Sequence, residues 1–579
     1  MLPAFAPFVS RRSAVHSLHG MVACSQPLAA VAGQNILRQG GNAADAAIAV
    51  ASCLNVTEPW STGIGGDMFC LYYDAKTKAV HGLNGSGRAP GNISLEEVRN
   101  KLRVPDYQAG NIPLTSVYAV TTPGAAAGWV DTVEIFGSGK LSLMQILQPA
   151  VNLAQSGFPV SEISAHYWKA NEPSLRKASA NFKEMLKEDP AAKDGVRAPR
   201  VGEIMKIPRL AETFIQLGTH GKAGFYSGRV AEAIDQVMKD LGGYLTKDDL
   251  EYHASKGSKA VDPMSLRFTP KNDTDQSVDV WEHPPNGQGI IALMALGIIQ
   301  ELEGSGKISR IPQHNSAEYL HLIIETLRIA FADGAWWISD PEHNAMPDLL
   351  SRSYLADRAT LFNPDSASDI LNHGSPALRS SDTVYFAVTD SSGNAISVVN
   401  SNYHGFGTGV IPRNCGFTLQ SRGANFSLVS GHPNALAPRK RPYHTIIPAM
   451  ATNAADGSLH SVFGVMGGFM QPQGHVQVLL NMLVFGMSPQ EALDAPRVCI
   501  GGGIPEDDGT VDLTVHLEEG ISADVVEQLE KKGHRVQLRT GWQRDMFGRG
   551  QIILSVVNEG QRIYSAGSDP RGDGMALPL

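Results

Sequence analysis

At residue 383 the chain changes texture. The stretch His373-Gly374-Ser375-Pro376-Ala377-Leu378-Arg379-Ser380-Ser381-Asp382 is rich in Ser, Gly and Pro and runs directly into Thr383-Val384-Tyr385-Phe386-Ala387-Val388-Thr389-Asp390. An exposed polar segment accepts cutting, and a buried strand does not. A cut before Thr383 would expose an amino terminus that carries two catalytic parts. The side chain is a hydroxyl nucleophile, and the free α-amine, with a pKa of about 7.7 to 8.0, takes a proton near neutrality. In the uncut chain that nitrogen is an amide and cannot act as a base, so activity would begin with cleavage.

The two sides of this junction differ. Before it, residues 26 to 54 read as two helices broken at Gly40-Gly41, with Asn42 capping an alanine-rich second helix. A glycine-rich turn, Ser61 to Asp67, then leads into a strand from Met68 to Tyr73. Helical periodicity covers Leu141 to Gln155, Arg209 to Leu217, Arg229 to Leu241 and Ser316 to Ala332. The charged or polar stretches Lys177 to Arg197 and Thr269 to Ser277 read as surface excursions. After the junction, Ser391-Ser392-Gly393-Asn394 joins Thr383–Asp390 to Ala395–Ser401 as a hairpin. His460 to Met466 reads as a further strand and Gln473 to Phe485 as a helix.

Composition narrows the partners. The chain has 579 residues, 42% of them hydrophobic and 18% charged, enough for a large core. A net charge of -9 argues against nucleic acid or an anionic membrane as the main partner. The basic run Arg439-Lys440-Arg441 is short and bounded by prolines, which suits a turn better than a nuclear signal. Five scattered cysteines without CxxC spacing fit a reducing compartment with no disulfide framework and no structural zinc. The first twenty residues lack a secretory apolar core, so the cytoplasm is the expected location. The absence of acidic residues before Asp45 leaves a mitochondrial presequence as a weaker alternative. No run approaches the ~18 to 20 apolar residues that span a bilayer.

Common catalytic routes leave no mark. There is no GxSxG elbow, no HExxH and no GxGxxG, and the order helix, glycine turn, strand is the reverse of a phosphate loop. The 18 histidines show no metal-ligand spacing, and one such as His283 before Pro284-Pro285 reads as structural. Gly467-Gly468 follows a strand and precedes a helix, where backbone N–H groups can converge on an oxyanion; taken alone, the pair reads more readily as an ordinary tight turn.

Taken together, Gly20-Met21-Val22-Ala23, Gly40 to Ala47, Gly63-Ile64-Gly65-Gly66-Asp67, Pro123-Gly124, Pro284-Pro285 with Gly287-Gln288-Gly289, Phe331-Ala332-Asp333, Phe406-Gly407-Thr408-Gly409, Lys440-Arg441-Pro442, Gly467-Gly468 and Ser568-Asp569-Pro570-Arg571 resemble the γ-glutamyltransferase (glutathione hydrolase) family. The matches occur in order from about residue 20 to the carboxyl end. The resemblance implies an α+β fold, a four-layer αββα sandwich of the N-terminal nucleophile hydrolase type, made as a precursor that cuts itself. The large fragment would be 1 to 382 and the small one 383 to 579, held together as one structural domain and a heterodimer, with further association open. Thr383 would attack the Asp382 carbonyl in self-cutting and an amide substrate afterwards. Gly467 and Gly468 would hold the oxyanion. Ser401 matches a family hydroxyl on the neighbouring strand; as a bare strand serine it could equally face solvent. No metal or organic cofactor is implied. The partners are a small carboxylate-bearing amide and a water or amine acceptor.

The resemblance also exposes departures. Arg88 matches the arginine that holds the glutamyl α-carboxylate, a task suited to a planar bidentate donor. The acid expected opposite the α-ammonium falls on Asn425, an asparagine falls on Tyr403, a glutamine on Arg422, and two serines on His444 and Thr445. Losing that carboxylate should weaken ammonium recognition by roughly 1 to 3 kcal/mol, and Arg422 would favour a second negative charge if it faced the substrate. These positions look closer to the acylase-like and oxamate-amidohydrolase-like branch. The expected activity is cleavage of γ-glutamyl amides such as glutathione by way of an acyl-enzyme. The rival enzyme reading is another carboxylate-bearing amide, oxamate-like or glutaryl-type, and the rival of another class is an uncleaved, inactive scaffold.

Overall fold

Two seven-stranded antiparallel sheets lie face to face with helices on both outer sides, an αββα sandwich. The computed structural model describes residues 12–105, 108–270, 276–368, 382–501 and 513–579. The polar stretch 373 to 381 lies outside the described residues, as do 271 to 275 and the side chain of Asp382.

One sheet runs in the order Met575–Pro578, Met21–Cys24, Asp382–Thr389, Ala395–Tyr403, Asp67–Asp74, Ala79–Gly85 and Lys259–Val261. The other runs Val15–Ser17, Gln561–Ser568, Arg549–Asn558, Leu459–Met466, Ala449–Asn453, Val278–Glu282 and Met264–Phe268. Each sheet therefore mixes strands from before and after residue 382.

The period-two pattern of the strand at 383 divides its side chains between layers. Tyr385 and Ala387 pack between the sheets with Met21, Phe69, Val399, Met450 and Val462. Val384, Phe386 and Val388 face the outer helices. There the alanine-rich helix Ala43–Thr57 is buried along its whole length, beside Pro27–Arg38. Asn42 caps it with a reciprocal box to Asp45, as the sequence indicates. On the opposite face, Gly289–Gly304 and Ala317–Trp337 build the second helical layer.

One expectation holds only in part, since most of the stretch concerned is exposed or half-buried but a few residues anchor it. Lys177 to Arg197, taken for a surface excursion because of its charge, buries Met185, Leu186 and Val196 and closes as a clip of Lys187–Glu188 on Val196–Arg197. Its charges are spent locally: Arg197 binds Asp189 at 2.6 Å and Glu203 at 2.7 Å. Three irregularly spaced apolar residues carry no periodicity, so only the charges were visible. No helix among the described residues is long and apolar enough to cross a membrane.

Candidate active site

Thr383 sits where the pairing of two central strands slips. Asp382 pairs with Tyr403 and Val384 with Asn400, so Thr383 alone stands opposite Ser401 and Asn402. Such a bulge re-aims a side chain. Thr383 is completely buried, and its Oγ1 lies 3.0 Å from Ser401 Oγ. Ser401 is likewise fully buried, which removes the solvent-facing alternative.

From this pair a chain of hydrogen bonds reaches almost every residue singled out in the sequence. Ser401 Oγ accepts from Tyr403 N at 2.8 Å and from Arg422 Nη2 at 3.2 Å. Arg422 Nη1 donates to Thr445 Oγ1 at 2.7 Å, and its guanidinium lies 4.3 Å over the Tyr403 ring. Tyr403 presents that ring from a left-handed backbone, φ 77°, a conformation a bulky residue keeps only where its surroundings hold it. Gln288 Nε2 bridges the Thr445 and Gly468 carbonyls, both at 2.8 Å, and Gln288 Oε1 accepts from Tyr443 Oη at 2.8 Å. Asn425 Nδ2 is bonded to the Tyr443 carbonyl at 3.0 Å.

Gly467 and Gly468, with φ of 128° and 60°, make the turn between the strand Leu459–Met466 and the helix Met470–Leu483. Their carbonyls receive Met470 N and Gln471 N. A side chain at either position would strain this turn.

Asp67 is the hub that sequence reading left unassigned. Its Oδ1 accepts from Gly87 N (2.9 Å), Gly124 N (3.0 Å) and Gln420 Nε2 (2.9 Å), and its Oδ2 faces His444 Nε2 at 3.0 Å. Burial alone would raise this carboxyl. The hydrogen bond from His444, the Arg422 charge and the Gly87 N–H outweigh it and hold Asp67 below its ordinary value. Burial, with Arg422 nearby, drives His444 down to about 3, so the pair is a neutral imidazole donating to a carboxylate. Burial also lowers Arg422, but only to about 10, and it remains a cation at neutral pH.

Arg88 follows Gly87 and is 7% exposed. Its Nη2 lies 3.5 Å from Glu342, while its Nη1 is buried with no hydrogen-bond partner among the described residues. Arg441 stands on the other side of Glu342 at 3.3 Å, also with one buried nitrogen, Nη2, that meets no described partner. Although burial opposes it, Arg441, Lys259 and Arg88 together hold the Glu342 carboxyl down to about 2. The run Arg439-Lys440-Arg441 is thus a largely buried turn, with Lys440 Nζ on the Pro433 and Ala435 carbonyls.

Histidine spacing hides one cluster. His321, Glu325 and His534 each bring a ligand-type atom within 4.8 Å of the others. Those atoms are already engaged: His321 Nδ1 with His534 Nε2 (2.8 Å), His321 Nε2 with the Asn363 carbonyl (2.7 Å), and Glu325 with Arg328 (2.8 Å) and Ser368 N (2.9 Å). The cluster ties the helix Ala317–Trp337 to the turn before Arg535–Arg539. The five cysteines are free and buried, and burial holds Cys24, Cys70, Cys415 and Cys499 up at about 12.

A buried threonine hydroxyl on a central strand of an αββα sandwich suits a self-processing amidohydrolase or acyltransferase of the N-terminal nucleophile class. The comparisons agree. The gamma-glutamyltranspeptidase family model matches residues 29–579, and the chain belongs to that family. The glutathione hydrolase-like YwrD proenzyme of Bacillus subtilis is 34% identical over 96% of this chain and 98% of its own. The oxamate amidohydrolase proenzyme of Klebsiella pneumoniae is 30% identical over 97% and 98%. Among solved structures, cephalosporin acylase from Bacillus halodurans superposes with a TM-score of 0.85 at 38% identity, covering 100% of this chain and 99% of that one.

Proposed function

We propose that the chain cuts itself between Asp382 and Thr383 and that the new terminus hydrolyses or transfers the acyl group of a small carboxylate-bearing amide, γ-glutamyl amides such as glutathione first. Thr383 Oγ1 attacks the amide carbonyl, its α-amine takes the hydroxyl proton and returns it to the leaving amine, and the N–H groups of Gly467 and Gly468 hold the oxyanion. Water or a second amine then releases the acyl-enzyme. Fragments 1 to 382 and 383 to 579 stay together because their strands interleave. The observation that supports the substrate reading is Arg88, a buried guanidinium with one nitrogen that meets no hydrogen-bond partner among the described residues, and a second such arginine, Arg441, beside the same glutamate.

Asn425 supports a second reading. It stands where an acid is expected and spends its amide on the Tyr443 carbonyl, so it brings no negative charge to a substrate ammonium. An acyl group with a carboxylate and no ammonium, oxamate-like or glutaryl-type, suits that position, and relatives named oxamate amidohydrolase and cephalosporin acylase are in keeping with it.

Denaturing electrophoresis with amino-terminal sequencing tests the cut: two bands with a new Thr383 terminus are expected, and one intact band in Thr383→Ala. Active Thr383→Ala protein would refute the nucleophile. Parallel assays on γ-glutamyl p-nitroanilide, glutathione, glutaryl p-nitroanilide and oxamate separate the substrates. Turnover of the γ-glutamyl pair supports the first reading, turnover restricted to the others assigns the second, and an inert but fully processed protein refutes both.

A further inference from the structure

Glu342 faces three cations and is gripped firmly by none. Its backbone N–H is anchored on Asp340 Oδ1 at 3.1 Å, but its side chain is 37% exposed. One carboxylate oxygen meets Lys259 Nζ at 3.1 Å and Arg441 Nη1 at 3.3 Å, and the other meets Arg88 Nη2 at 3.5 Å. Of these contacts the one with Lys259 is a hydrogen bond; the two arginines stand farther off than an ordinary N–H···O bond and hold the glutamate by charge. Asp340 is the other acid within 4.0 Å of these cations among the described residues, 3.9 Å from Arg441. Three cations thus face two carboxylates, a balance that favours an incoming anion over an ammonium.

Arg88 is a buried fork that is barely used. Its Nη1 meets no hydrogen-bond partner, and Glu342 is the one acid within 4.0 Å of it, both among the described residues; buried polar nitrogens are normally bonded. A carboxylate grips a guanidinium through Nε with Nη2 or through Nη1 with Nη2. Nη2 belongs to both pairs, and Glu342 stands at Nη2. A substrate carboxylate that takes two hydrogen bonds from Arg88 therefore has to replace Glu342 there. We propose that Glu342 is a specificity-determining residue, a built-in competitor that occupies Arg88 Nη2 until the substrate's carboxylate displaces it. This rests on the carboxylate reading of Arg88 given above.

The exchange swaps one ion pair for another and changes no covalent bond. Lys259 and Arg441 keep hold of the displaced side chain, so its charge is not stranded. An uncharged acyl group has nothing to offer Arg88 in place of Glu342, and the competitor excludes it. The exchange takes place beside the nucleophile's strand pair: the Gly87 N–H that precedes Arg88 is bonded to Asp67, and Asp67 pairs with Ser401 across the sheet.

A brace and a competitor give opposite signs. If Glu342 only held Arg88 in place, removing its charge would weaken binding; as a competitor, its removal strengthens binding. Calorimetric titration of the processed protein with glutarate reads the site without turnover, and KM for γ-glutamyl or glutaryl p-nitroanilide reads it during catalysis. In Glu342→Gln the glutarate Kd and KM should both fall about fivefold, the upper range for a part-exposed ion pair, with kcat changed less than about twofold. Glu342→Asp keeps the charge beside Lys259 but shortens the reach to Arg88. It should fall between the two, and it serves as the main comparison if Glu342→Gln does not accumulate as soluble protein. The proposal is overturned if Glu342→Gln leaves both constants unchanged or raises either one; a rise confined to KM for the γ-glutamyl substrate would assign Glu342 to the substrate's ammonium instead. Arg88→Lys distinguishes the reading beneath. If glutarate binds wild type and Arg88→Lys equally, or binds neither, the carboxylate site is refuted and the competitor falls with it. Weaker binding in Arg88→Lys beside unimproved binding in Glu342→Gln removes the competitor and spares the site.

Discussion

Replacing Asp67 with asparagine leaves the shape of the hub and changes its chemistry. The asparagine oxygen can still accept from Gly87, Gly124 and Gln420, but as a neutral acceptor, and hydrogen bonds to a charged group contribute about 1.5 to 3 kcal/mol against about 0.5 to 1.5 for neutral pairs. The second carboxylate oxygen becomes an NH₂ facing His444 Nε2. His444 cannot simply change tautomer, because its Nδ1 accepts from Ile446 N at 3.4 Å, so two donors meet and a buried N–H goes unsatisfied at about 1 to 3 kcal/mol. Arg422 also loses its compensating charge. Relief of the carboxylate's own desolvation offsets part of this, and a net loss of about 3 kcal/mol is expected. The measurement is urea unfolding followed by tryptophan fluorescence, with both proteins carrying Thr383→Ala so that the chain stays covalent. The midpoint should fall with an unchanged slope. In Asp67→Asn, adding His444→Ala should cost less than His444→Ala alone, since the donor conflict disappears. A loss below about 0.5 kcal/mol, or additive double-mutant values, would show that Asp67 is not the hub described.

Arg88→Lys should raise KM about tenfold for a carboxylate-bearing substrate with little change in kcat or self-cutting, because it alters the carboxylate site and not the nucleophile; equal loss in kcat would place Arg88 in the chemistry. Gly66→Ala would set a Cβ 2.2 Å from the Ser401 carbonyl and 2.7 Å from Asn402 Oδ1, so self-cutting should fail or slow sharply, and normal processing on a denaturing gel would contradict the close approach. Burial holds His253 and His444 down at about 3, so the unfolded chain binds protons the folded chain refuses. That stabilisation is intact above the ordinary histidine pKa of about 6.5 and drains away as pH falls from there toward 3, about 2 kcal/mol per histidine at pH 5; urea midpoints unchanged between pH 7 and 5 would refute it.

Local rules made much of the fold readable. The Asn42 cap, the alanine helix behind it and the hairpin at 383 to 401 are written in neighbouring residues, and the structure reproduces them, its second strand running on to Tyr403. Thr383, Ser401, Tyr403, Arg422, Asn425 and Thr445 were visible because motif order carried them, and their hydrogen bonds join them in space. Directions were not visible. Asp67 meets Gln420 and His444 across 353 and 377 residues of chain, and nothing local announces that three glycine motifs close on one carboxylate. Gln288 and Tyr443 lay inside quoted motifs, but their bridging role depends on which layer each turn reaches. The charge of Arg422 was plain from its letter; only the fold shows that it points at Ser401.

The strand Met21–Cys24 lies between two strands from the other side of residue 382, Asp382–Thr389 and Met575–Pro578. A peptide bond broken at 382 therefore frees an end without freeing a piece, and neither product can leave without stripping open the edges of a shared sheet. Connectivity is consumed in the act. Once melted, the processed enzyme would have to find its other half by collision, so its working lifetime is governed by how slowly it opens, and a molecule that has lost its shape has no unimolecular road back.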